Sequence, residues 1–293
     1  MKLVVRTSLA VCVALGSACN FEGPGNPGDE GDNVGDGDGD GDGDGDGDGD
    51  LSSDAATGAD EDSDGVVDTE DNCPGVANPG QEDELELSSG NPADGVGDAC
   101  DPRPSESGDR LLLFDPLDGP LASQWLSTDG NWAMTAEGLA QTDSSTSSPT
   151  LYRSDIGLER SAIQTRVRVD GLGFTNDIRG VGLVAQYSPG FFEAGYSCFE
   201  DDSGLGVWEF TQQGGAAKRG SSSATPNISE GMTINYALNA RGDDGQLDCS
   251  RTSGSNSNIS VTDQTTRFGS VGVRTHAATA TFFHIAVYEL GEG

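Results

Sequence analysis

Ala162-Ile163-Gln164-Thr165-Arg166-Val167-Arg168-Val169 alternates without a break. Ile163, Thr165, Val167 and Val169 fall on one face of an extended chain; Gln164, Arg166 and Arg168 fall on the other. Successive side chains of a strand point to opposite faces, so this period of two predicts a strand with one face in a core. Similar runs recur at 111–114, 181–187, 195–200, 205–210, 232–238, 246–250, 268–274 and 281–288, with Gly, Asp, Asn and Ser between them. None carries a sustained helical period. Many short strands at this spacing predict an all-β sandwich or barrel over 110–293, long enough for a sizeable core.

Upstream of 110 the composition changes. The formal net charge of the 293-residue chain is −35, and most of it is local. Asn20 to Asp109 holds 29 carboxylates and one base, Arg103. Nucleic acid needs a basic footprint, so it is excluded as a partner, and so is electrostatic binding to anionic lipid. A cation is the partner such charge prefers. Within 59–102 the acids are ordered: Asp60, Asp62 and Asp64 alternate, Gly65 follows, then Val66, Asp68 and Asp71. Ca²⁺ takes about 6–8 oxygens, and alternating carboxylates, a turn glycine and a backbone carbonyl supply them in that order. Gly65 permits the sharp turn because it has no Cβ.

The order D-x-D-x-D-G-x-x-D-x-x-D-N-C-P-x-x-x-N-P-x-Q from Asp60 to Gln81, followed by D-G-x-G-D-x-C-D from Asp94 to Asp101, resembles the thrombospondin type 3 repeat. In that family each repeat holds calcium on aspartates and carbonyls, has almost no hydrophobic core and is stapled by disulfides. The resemblance implies Ca²⁺ on Asp60, Asp62, Asp64, Val66, Asp68 and Asp71. It also implies a second set on Asp83, Asp94, Val96, Asp98 and Asp101, and a Cys73–Cys100 bridge. The second half departs from the family pattern. Residues 85–93 are inserted before Asp94, and Gly90 and Pro92 stand where acids are expected.

Residues 1–18 read as a secretory signal: Lys2 and Arg6, an apolar run over 9–15, then small residues before Cys19. Leu15-Gly-Ser-Ala-Cys19 resembles a bacterial lipoprotein signal. The resemblance implies a diacylglycerol on Cys19 and a place in the cell envelope, at the outer membrane of a Gram-negative bacterium. Ordinary cleavage after Ala18 would cut the same bond. If Cys19 is lipidated and Cys12 leaves with the signal, Cys73, Cys100, Cys198 and Cys249 remain, an even number for an oxidising compartment. Residues 19–58 form a linker with eight Gly-Asp dipeptides over 35–50. Such a segment buries nothing and repels itself, so it is expected to stay extended. Residues 103–109 are expected as a second, short linker.

The phrases Phe114-Asp-Pro-Leu-Asp-Gly-Pro-Leu, then Asn131-Trp-Ala-Met-Thr, Phe268-Gly-Ser-Val-Gly-Val-Arg-Thr and Ala280-Thr-Phe-Phe-His-Ile-Ala-Val-Tyr resemble a concanavalin A-like jelly roll of the laminin-G type. In that superfamily two curved sheets often bind saccharides, and some members hydrolyse glycosides. Cys198 and Cys249 each sit in an expected strand, and a bridge between them would staple two strands; Cys73–Cys198 is the competing pairing. The glycoside hydrolase string E-x-D-x-x-E and the nucleophile string G-x-S-x-G are absent after Arg110, and His276 and His284 have no companions for zinc. A binding head is therefore expected, with polysaccharide or a surface protein as partner. A glycoside or keto-sugar hydrolase is the alternative. Trp125, Trp208, Phe191 and Phe192 are the candidate saccharide platforms.

Overall fold

The protein's structure, a computed structural model, describes residues 58–145, 148–173, 178–190, 193–211, 215–222, 228–252 and 256–292. The expected signal, Cys19, the linker up to residue 57, Phe191 and Phe192 lie outside the described residues.

The strands pair into two sheets, and every ladder is antiparallel. One sheet runs β13 (Ser257–Thr262), β12 (Gln246–Arg251), β11 (Thr233–Arg241), β6 (Arg160–Leu172), β15 (Ala278–Glu289), β4 (Gly138–Gln141), β3 (Trp132–Thr135). β1 (Arg110–Asp115) pairs with the C-terminal half of β15, and β4 with its N-terminal half. The second sheet runs β10 (Gly215–Ser222), β9 (Gly204–Thr211), β8 (Ala194–Asp201), β7 (Gly180–Ser188), β14 (Ser270–His276), β5 (Thr150–Arg153), β2 (Trp125–Ser127). This is the all-β sandwich expected from the alternating runs.

The core lies between the sheets. From β6 it takes Ile163, Val167 and Val169; from β11, Ile234, Tyr236, Leu238 and Ala240. The opposing sheet contributes Val181, Leu183, Tyr196, Leu205, Val207 and Val273. Cys198 on β8 and Cys249 on β12 bridge the two sheets inside this core, with Cα atoms 5.4 Å apart. Cys73 pairs with Cys100, Cα atoms 5.5 Å apart, so the competing Cys73–Cys198 pairing does not form.

The outer face of β6 is not a plain solvated face. The acidic repeat lies on it, and repeat and sandwich belong to one compact unit. Cys73, Val96 and Cys100 pack against Ala162, Ala286, Tyr288 and Leu290, with Leu111 and Phe114 alongside. Gln164 Nε2 donates to Cys100 O at 2.7 Å, and Asn239 Nδ2 donates to Pro102 O at 3.0 Å. Gly75 lies against the ring of His284, so closely that a Cβ there would stand 2.9 Å from Nε2. Small side chains at Ala162 and Ala286 leave room for the disulfide to seat. Residues 103–109, expected as a linker, instead carry a buried ion pair between Arg103 and Asp109. Among the described residues no helix is long and apolar enough to cross a membrane.

Candidate metal centre and groove

The first half of the repeat folds around its own carboxylates. Asp60 accepts the N–H groups of Asp64 and Gly65 at 3.2 and 3.1 Å. Asp62 Oδ1 accepts Asp64 N–H at 3.2 Å, and Asp64 Oδ1 accepts Val66 N–H at 2.8 Å. Gly65 sits at φ +96°, the left-handed region that favours glycine. These bonds draw one oxygen from each of Asp60, Asp62 and Asp64 within 4.8 Å of one another. Asp68 Oδ1 accepts Glu61 N–H at 2.9 Å, so one of its oxygens holds the loop shut. Asp71 Oδ1 accepts Cys73 N–H and Gln81 Nε2–H, which ties the N-C-P phrase to the N-P-x-Q phrase.

Two oxygens here are buried with no partner: Asp62 Oδ2 and Asp71 Oδ2. Two carboxylate charges about 5 Å apart repel by about 3 kcal/mol at an effective dielectric near 20. Burial, reinforced by Asp64 and Asp71, pushes the Asp62 carboxyl up to about 6. Burial, reinforced by Asp68, pushes Glu61 up to about 7. Both shifts come from burial and from the loop's own crowded carboxylates.

In the second half, Asp83 and Asp94 each place an oxygen within the same 4.8 Å as one from Glu86. The inserted stretch forms a short helix, α1 (Leu85–Ser89), closed by Gly90 at φ +88°. Glu86, absent from the sequence-predicted set, comes from this helix and is fully buried. Asp98 Oδ1 accepts the N–H groups of Glu84 and Leu85 at 3.1 Å, which fixes the start of the helix. Val96 is buried against the disulfide, and its N–H donates to Asp94 Oδ1 at 3.0 Å. Burial, partly opposed by the N–H of Arg103, pushes the Asp101 carboxyl up to about 8.

A groove of about 690 Å³ runs between the repeat and the outer face of the β6–β11 sheet. Glu61, Asp62 and Asp101 stand on the repeat side; Arg166, Asn235 and Ser250 stand on the sheet side. Asn239 also faces it, and its Oδ1 is buried without a partner.

The two predicted aromatic platforms that lie among the described residues, Trp125 and Trp208, do not line this groove. Trp125 is a core residue, with Nε1 donating to Asp115 Oδ2 at 2.8 Å and Arg153 over its ring, so no face is left for a sugar. Trp208 lies half-buried on the other sheet, with Lys218 Nζ 5.3 Å from its ring centre. Glu200, the first of the clustered acids 200–202, is buried against Arg251 and Tyr236.

No family model matches the chain, and no curated protein matches it. Among solved structures, the carbohydrate-binding module CBM66 from Bacillus subtilis is 16% identical, with a TM-score of 0.46 over 54% of this chain and 91% of that one. The acidic lectin of winged bean, complexed with methyl-alpha-D-galactose, is 10% identical, with a TM-score of 0.44 over 63% of this chain and 100% of that one. The VIP36 exoplasmic/lumenal domain in its Ca²⁺/Man3GlcNAc-bound form is 13% identical, with a TM-score of 0.42 over 58% and 85%.

Proposed function

We propose that this chain is an exported, lipid-anchored envelope protein whose calcium-rigidified repeat and β-sandwich head together bind carbohydrate. The observation that carries this is the groove, whose two walls come from the repeat and from the sheet. Its sheet wall offers amides, a hydroxyl and a guanidinium, Asn235, Asn239, Ser250 and Arg166, opposite the carboxylates of Glu61 and Asp62. Saccharide hydroxyls are both donors and acceptors, and such a wall meets them on both counts.

The first loop fits calcium. Its donors are oxygens only, several are carboxylates, and two are buried without a protein partner. The ion would supply the positive charge the loop lacks. Asp60, Asp62, Asp64 and Asp71 would hold it, with Val66 as the expected carbonyl donor and Asp68 closing the loop. Because the same segment forms one wall of the groove, calcium and carbohydrate binding should be linked. Lipid on Cys19 and the Gly/Asp linker would carry this head away from the outer membrane.

A glycan array with the purified full-length chain tests the reading. Binding should appear with calcium, vanish with EDTA and return when calcium is restored. Asn235→Ala and Arg166→Ala should each weaken it by about tenfold or more, while Trp208→Ala should leave it intact. Absence of any glycan ligand in calcium, or loss confined to Trp208→Ala, would overturn the assignment.

A further inference from the structure

The groove continues past the cavity between the repeat and β6. A second cavity of about 360 Å³ opens on the same face of the sheet, and the two share Pro102, Asn239 and Ser250. Strand alternation sets their common floor. Ile234, Tyr236, Leu238 and Ala240 of β11 go into the core, so Asn235, Ala237, Asn239 and Arg241 face outward. On β12, Leu247 and Cys249 go inward, and Asp248 and Ser250 face outward. On β13, Ile259 goes inward, and Asn258 and Ser260 are exposed. The ladders set these outward residues in rows: Ala237, Ser250 and Asn258 in one, Asn239, Asp248 and Ser260 in the next. The repeat walls the floor along its length, with Glu61 and Asp62 beside the first cavity and Arg103 and Glu106 beside the second. From Asn235 to Arg241 the floor advances six residues of β11, or about 20 Å at the rise of an antiparallel strand.

Two properties of this floor select a ligand. Among the described residues it has no aromatic plate. Of the rings that border it, Tyr236 turns inward to donate to Glu200, and His284 is buried under the repeat. A sugar lying here is read by its hydroxyl edges, through amides, hydroxyls and carboxylates. At the join of the cavities, Asn239 Nδ2 donates to Pro102 O at 3.0 Å, and Asn239 Oδ1 is buried without a protein partner.

The second property is charge. Both arginines of the second cavity are already taken: Arg103 by Asp109 and Glu106, Arg241 by Asp244. Glu61, Asp101, Glu106 and Asp248 are spread along the two cavities, with Arg166 opposite them in the first. An acidic polymer would meet like charge along the whole path. Uncharged hydroxyls instead donate to those carboxylates.

We propose that the two cavities form one groove that takes a linear, uncharged polysaccharide along β11, several sugar units at a time. The second cavity grips the units beyond those held beside Asn235 and Arg166. The inference rests on the carbohydrate reading above and adds the length and charge of the ligand.

Isothermal titration calorimetry of the full-length chain in calcium tests it. The probes are cello-, xylo-, manno- and laminari-oligosaccharides of two to six units, and oligogalacturonates of the same lengths. For the neutral series that binds, affinity should rise on the order of tenfold between two and five units, and the oligogalacturonates should bind more weakly by about as much. Asn258→Ala with Ser260→Ala changes two exposed side chains on the edge strand of the sheet. It should bring the five-unit ligand down to the affinity of the two-unit one and leave the latter unchanged. Asn235→Ala should weaken every length. Affinity independent of length, a double variant that weakens short and long ligands alike or neither, or tighter binding of the acidic series overturns the inference. So does silence of every neutral series when the glycan array yields any ligand. In each of these cases, binding that is lost with Asn235→Ala leaves the carbohydrate reading standing. An array and oligosaccharide series without any ligand remove that reading, and the inference with it.

Discussion

Acidification should destabilise the head through one residue, His284. Its ring lies under the repeat, against Gly75 and 5.8 Å from the Phe114 ring, and is 6% exposed. Burial, aided by the Arg166 charge, pushes the imidazole down from its usual 6.5 to about 4. The folded protein therefore holds His284 neutral while the unfolded chain takes up a proton near pH 6.5. Stability contributed this way is complete above pH 6.5, falls as pH drops below that value, and stops falling near pH 4. By linkage the loss at pH 4.5 is about 2.5 kcal/mol, approaching roughly 3.5 kcal/mol at lower pH. Urea unfolding in saturating calcium at pH 7.5 and pH 4.5, followed by near-UV circular dichroism, measures it. His284→Gln should lose about 2.5 kcal/mol less than wild type over that interval, since an amide does not titrate. Equal losses in the two proteins would refute the argument.

Removing the inter-sheet bridge with the Cys198→Ala, Cys249→Ala pair should cost about 4 kcal/mol for a separation of 51 residues. A shift below about 1 kcal/mol in guanidinium unfolding would contradict this. Gly75→Ala forces a Cβ to 2.9 Å from His284 Nε2, so it should lift the repeat and speed amide exchange at Val96 and Cys100 while the core amides of β8 stay protected. Trp125→Phe removes the N–H bonded to Asp115 and should lower stability by about 1–3 kcal/mol, read from the thermal midpoint.

The strands legible in the sequence are those whose runs carry regularly placed apolar side chains: β1, β6, β7, β8, β9, β11, β12, β14 and β15. β10 was not legible. Its residues Gly-Ala-Ala-Lys-Arg-Gly-Ser-Ser carry no apolar period, and it exists because the edge of β9 offers a ladder, Ala216 facing Phe210 and Lys218 facing Trp208. Short β4 and β5 likewise take their register from the longer β15 and β14, and β3 and β2 pair onto them in turn. The docking of the repeat was hidden because so few of its residues do it. Cys73, Val96 and Cys100 sit among acids, and their seat is made by alanines that look unremarkable in a strand. The role of Glu86 was half visible. Asp64-Gly-Val and Asp94-Gly-Val align by eye, but only the helix brings Glu86 back to the place that the insertion vacates.

The chain treats buried carboxylates in two ways. In the head the buried ones face bases: Glu200 has Arg251, Glu209 has Arg219 and Asp201 has Lys218. A buried acid on a strand can recruit a base from the neighbouring strand, as Glu209 on β9 does from β10, or from the facing sheet, as Glu200 on β8 does from β12. The repeat has no such resource. Residues 58–109 hold sixteen carboxylates and one base, Arg103, which Asp109 and Glu106 already occupy. Its turns aim carboxylates inward at one another, and its backbone N–H groups satisfy only some of their oxygens. Hydrogen bonds from neutral amides lower the cost of those charges but cannot cancel them. On the proposed reading the missing positive charge comes from solution as a bound cation, and a segment that folds with such an ion is well placed where it can act on something else. Here it forms the wall of the groove and holds the first strand of the head.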